Sequence, residues 1–128
     1  MRIALICLGL GVALATIPLP SSASISLRGM MHDWRRQTRT AGDMLRGRAA
    51  FDAGAIRAML TRFADDAGQI AGAINGKTSD ARDIKQRFLA FQADARNAIN
   101  SGSEPRALQS GFTKVMSNCR SCHDLYKD

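Results

Sequence analysis

Two cysteines three positions apart, Cys119 and Cys122, are followed at once by a histidine, His123, in the segment SNCRSCHDLYKD. Thiolate sulfur and neutral imidazole nitrogen are both metal ligands, and a thiolate is also a nucleophile. Three chemistries are therefore open to the cluster. A dithiol–disulfide pair needs its Cys-x-x-Cys at the start of a helix that follows a strand. A structural zinc site needs four ligands. Outside the cluster the chain has one further histidine, His32, so carboxylates would have to complete the set. Covalent attachment of haem c needs nothing more, because Cys-x-x-Cys-His gives two thiols for the two vinyl groups of one porphyrin and an adjacent imidazole for its iron.

The compartment bears on this choice. The chain opens MRIALICLGLGVALATIPLPSSAS, with one charge at Arg2, an apolar run from Ile3 to Ile17, and small residues at Ser21 and Ala23 spaced for cleavage. This pattern predicts a cleaved secretory signal peptide over 1–23 and a single domain over 24–128. The apolar run is too short and too glycine-rich for a membrane span, so no integral membrane protein is expected. The leader takes Arg2 and Cys7 with it and leaves 17 basic side chains against 11 acidic ones, a net +6. Export argues against nucleic acid, and a basic surface suits acidic redox partner proteins or an anionic surface. The predicted location is the periplasm.

The elements that carry the cluster have helical apolar spacing throughout. Leu27, Met31, Trp34, Thr38, Ala41 and Leu45 form a stripe on a helix over 25–46 that Gly47 ends. Asp52 caps a second helix, with Ile56, Leu60, Phe63, Ala67, Ile70 and Ile74 inward. Thr78 or Ser79 caps a third, with Ile84, Phe88, Phe91, Ala95 and Ile99 inward. Ser103 is the predicted cap of a fourth, whose stripe is Leu108, Phe112, Val115, Cys119 and Cys122. Short turns separate these segments, and no strand-like alternation appears. The predicted fold class is all-α, an antiparallel four-helix bundle with covalently attached haem c. Both cysteines fall on an inward stripe and near a helix end, which disfavours the disulfide-exchange reading. Only 5% of residues are aromatic, so a large flat apolar cofactor would supply core volume.

With its attachment motif in the last helix, the chain resembles the class II cytochromes c, the cytochrome c′ and cytochrome c556 group. The ending CRSCHDLYKD, the turn GRAAFD at 47–52 and the segment DIKQRFLAF at 83–91 are similar to that family's. Lys85 stands where many members have Trp, and the turn between the second and third helices is shorter than usual. The resemblance covers roughly 25–128. It implies one covalent haem c on Cys119 and Cys122, with His123 as proximal iron ligand. It also implies that the distal residue comes from the first helix, about 20 positions before the aromatic–Asp pair.

Counting back 21 residues from Asp52 reaches Met31, which also lies on the apolar stripe. A thioether is a good ligand for haem iron, and Met/His ligation raises the potential of cytochromes c. The alternative is a core methionine packed against the porphyrin. Met30 is second choice, one step off the stripe, and His32 falls toward the polar side. A sixth ligand predicts a low-spin single-electron carrier, not an enzyme, with no catalytic residues. An empty sixth site predicts a five-coordinate, high-spin protein that binds NO or CO. A non-haem zinc or disulfide domain is the third reading. The chain is expected to be a monomer or a homodimer, the resemblance adding that cytochrome c′ relatives often pair through the first two helices.

Overall fold

The computed structural model describes residues 26–126, so the leader expected at 1–23 lies outside the described residues. Four helices run in sequence: α1 (Leu27–Leu45), α2 (Ala53–Ala73), α3 (Ser79–Asn100) and α4 (Pro105–Tyr126). Each packs against the next and α4 returns to α1, which is the antiparallel four-helix bundle expected from the spacing.

The helix ends follow from local chemistry. The Ser26 hydroxyl accepts from the Gly29 N–H at 3.1 Å, the Asp52 carboxylate from the Ala55 N–H at 2.9 Å, and the Thr78 hydroxyl from the Ala81 N–H at 3.2 Å. Each satisfies an amide that the first helical turn leaves without a backbone partner. Gly47, at φ +72°, turns the chain out of α1 in a conformation that costs other residues more. Ser103 is not the cap of α4. The helix begins on Pro105, so Glu104 holds the cap position, and its carbonyl accepts from the Leu108 N–H at 3.0 Å. Proline has its φ preset for the first helical position and lacks the N–H that would be orphaned there.

Phe63, Ile56, Leu60, Leu108 and Val115 are the largest fully buried side chains. Ala64, Ala67 and Ala71 on α2 and Ala95 and Ala98 on α3 are also buried, and small residues of this kind let helices approach closely, as Ala98 does against Gly111 of α4. The α1 stripe differs from the expected one. Leu27 is 52% exposed, while Met30, Trp34 and Ala41 are the buried apolar residues. Side chains tilt toward the N-terminus of a helix, so a residue in the first turn points off its end.

Candidate functional site

The antiparallel order brings the start of α1, the first half of α3 and the end of α4 to one end of the bundle. A cavity of about 340 Å³ opens there. Met31 reaches it from α1, Phe88 and Phe91 from α3, and Cys122 and His123 from α4. Three of the residues singled out from the sequence thus share one cavity. Cys119, one turn before Cys122, packs against the hydrophobic core and does not line the cavity. Met30 is buried in the core, and His32 is exposed and outside the cavity.

Both cysteines are free thiols. Burial, the largest cause, pushes the Cys119 thiol up to about 11, and burial also raises that of Cys122, against the lowering effect of the Arg87 charge. A raised thiol is a weaker nucleophile for disulfide exchange, because the thiolate is the attacking form. Among the described residues no group of three or more His, Cys, Asp or Glu side chains converges, so no zinc ligand set is assembled.

Two aromatic rings of α3, Phe88 and Phe91, line the cavity. Trp34 stacks on Phe91 with centroids 4.8 Å apart and planes 9° from parallel. Its Nε1–H donates to the Asp66 carboxylate at 3.0 Å, which ties α1 to α2 behind the wall. This hydrogen bond was not foreseen, because only the stripe spacing of Trp34 was legible.

The rim holds a second group, of which sequence spacing could have disclosed only the Asp83–Arg87 pair. Asp83 and Arg87 sit four apart on α3 and pair at 2.7 Å, an ordinary helix-surface arrangement. The Tyr126 hydroxyl, from the last turn of α4, donates to the same Asp83 oxygen at 2.8 Å. The Arg87 guanidinium lies 6.0 Å from the Tyr126 ring centroid and donates to the Ser121 hydroxyl at 3.4 Å. The hydrogen bond from Arg87, then that from Tyr126, holds the Asp83 carboxyl below the usual carboxylate range. The same contact raises Tyr126, whose hydroxyl loses its hydrogen bond if it ionises. These links fasten the end of α4, which carries Cys122 and His123, to α3.

The residues fit covalently attached haem c. Met31, Cys122 and His123 bring a thioether, a thiol and an imidazole to the cavity, Cys119 lies one turn away against the core, and Phe88, Ala90 and Phe91 form an apolar face beside the polar Asp83, Gln86, Arg87, Asn118 and Ser121. An apolar wall with a few convergent ligating groups is what a flat, largely apolar cofactor needs.

The family model described as Cytochrome C' matches residues 26–127. No curated protein and no solved structure matches the chain. The chain therefore belongs to the cytochrome c′ family, whose members bind covalently attached haem c, and is itself a c-type haem cytochrome.

Proposed function

We propose that this cytochrome is an exported, periplasmic single-electron carrier. In this reading Cys119 and Cys122 form the two thioether bonds, His123 is the proximal iron ligand and Met31 the distal one. The observation that carries it is the position of Met31, on the cavity that Cys122 and His123 line and on a different helix from both. Bound haem supplies a one-electron ferric–ferrous couple. With Met31 as well as His123 holding the iron, a gas would have to compete with a bond already made. Phe88 and Phe91 exclude water from the cavity wall. The Asp83–Tyr126 contact limits movement of the α4 end that carries His123.

Met31→Leu tests the assignment. It keeps apolar volume and helix propensity and deletes only the sulfur, so packing should change little. The wild type should be low-spin, with a weak ferric band near the red edge of the visible spectrum. The variant should be high-spin, bind CO readily and have a lower reduction potential. A wild type that is already high-spin and binds CO as readily as the variant makes Met31 a packing residue. The chain is then a five-coordinate gas-binding member of its family. Export has its own readout: mature protein from a periplasmic fraction should begin at Ser24.

A further inference from the structure

The basic charge is unevenly placed. Helices α1 and α4 carry seven Arg and Lys residues against three Asp, whereas α2 and α3 carry six against five. The excess gathers at a groove of about 500 Å³ between α1 and α4. Arg35, Arg39 and Arg46 line it from the α1 side and Arg120 from α4, over a floor that includes Phe112 and Met116. Three hydroxyls, from Thr38, Thr113 and Ser117, complete the lining, and no carboxylate residue belongs to it. Of the four arginines only Arg46 is in a salt bridge, with Asp43 at 3.3 Å, among the described residues. Like charges facing across a groove repel, and the repulsion is relieved when an anionic surface enters.

We propose that this groove is the docking face for an acidic protein partner that exchanges electrons with the haem. The proposal rests on the electron-carrier reading and adds the place and the charge of the partner. Three features select an acidic protein over an anionic membrane. The site is recessed between two helices, so it suits a protruding acidic segment more than a flat lipid surface. Guanidinium groups with hydroxyls beside them match carboxylate side chains as forked donors. The large exposed apolar side chains, Leu27, Phe51, Leu89 and Leu125, all lie outside the groove, so it has no apolar group poised to enter a bilayer. The location also suits electron exchange, because Arg120 lies between the two cysteines in sequence and Ser117 lies just before them.

The test uses the haem-loaded protein and reduced flavodoxin, a small acidic electron-transfer protein, as the probe. One electron passes from the flavin hydroquinone to the ferric haem, giving flavin semiquinone and ferrous haem. Stopped-flow rate constants are measured from low to high ionic strength for three proteins. These are the wild type, the groove variant R35E/R39E/R120E, and a control variant K77E/R96E/R106E that changes net charge equally at exposed sites outside the groove. The wild-type rate should fall steeply with salt. The groove variant should be slower by about tenfold or more at low salt with most of the salt dependence gone, and the control by no more than about threefold. Equal losses in both variants, or a wild-type rate independent of salt, overturn the proposal. Unchanged flavodoxin rates together with lost binding to phosphatidylglycerol vesicles in the groove variant replace it with a membrane-facing role. R35Q/R39Q/R120Q provides the same comparison if the reversed charges prevent folding, as helical circular dichroism will show. A pyridine haemochrome spectrum is taken first. If haem is absent, the carrier reading fails by itself, and calorimetric titration of the same proteins with flavodoxin still decides whether the groove binds an acidic surface.

Discussion

The seam between α2 and α3 and the seat of α1 are built in different ways. Along the first, small residues bring backbones together. The Gln92 amide of α3 donates to the Ala64 carbonyl of α2 at 3.0 Å, lying over Gly68, where a side chain would collide with it. Arg57 at the start of α2 donates to the Ile99 and Gly102 carbonyls, which the end of α3 leaves unpaired. Helix α1 approaches its neighbours closely at few points and is held by side chains, chiefly Trp34 against Phe63, Phe91 and Asp66. A helix seated by side chains leaves room beside it for a flat cofactor. The close α2–α3 seam, with α4 against α3, supplies the rigid frame. Met31 is on the loosely seated helix, and the cysteines and His123 are on the frame.

The largest effect should come from deleting haem attachment. Cys119→Ala with Cys122→Ala should abolish covalent haem and take from α1 a packing partner that the other helices need less. Amide hydrogen exchange should then speed up most in α1, by at least about tenfold relative to α2 and α3. Unchanged helicity and stability in the double variant break the comparison, because the cofactor would then be no part of the core.

Two glycine substitutions sharpen the comparison at the next scale. A Cβ at Gly111 would lie 2.5 Å from the Ala98 Cβ and 2.8 Å from its Cα, so α3 and α4 would have to separate. Overpacking of this kind costs about 1–3 kcal/mol, against about 1 kcal/mol gained in helix propensity. At Gly42 on α1 the atoms met, at 2.8–3.2 Å, are the guanidinium end of Arg46, which can swing aside. Chemical unfolding of the holoprotein should find Gly111→Ala destabilised by about 1–2 kcal/mol and Gly42→Ala unchanged or up to about 1 kcal/mol more stable. Equal losses at both sites would mean that α1 is as closely seated as the frame.

How much of this was legible in the sequence differs along the same division. Helices α2 and α3 and their caps follow from periodicity and from Asp52 and Thr78, because local chemistry there agrees with the packing. On α1 the spacing placed Leu27, Met31 and Trp34 on one stripe, but Leu27 is exposed and Met30 is the buried methionine. A stripe broad enough for both methionines cannot tell a core-facing residue from one facing a cavity, because that depends on where the neighbouring helices stop. The Cys-x-x-Cys-His spacing is legible from residue types alone, and two of its three residues, Cys122 and His123, line one cavity with Met31. The Asp83–Tyr126 contact was not legible, since it joins residues 43 apart and depends on the α3–α4 register. The groove between α1 and α4 was visible only as net charge until the helices were placed.

That contact supports the smallest effect and dates from the same register. Asp83 has its folded pKa lowered, first by the hydrogen bond from Arg87 and next by that from Tyr126. A lowered carboxyl contributes stability above its unfolded pKa, near 4, and the contribution is lost as pH falls through the folded value. Tyr126 has its folded pKa raised, first by the hydrogen bond to Asp83. Its contribution is complete below the unfolded value, near 10, and is lost as pH rises through the folded one. The contact should therefore be at full strength between about pH 5 and pH 9 and fade on both sides. Tyr126→Phe removes the hydroxyl and keeps the ring. At pH 7 the variant should be slightly less stable than the wild type. The difference should shrink toward pH 3 and again above pH 10, while the ferric spectrum at pH 7 stays that of the wild type. Equal stability of the two proteins at every pH would show that the ring alone fastens α4 to α3 and that the Asp83 hydrogen bond adds nothing to the seam.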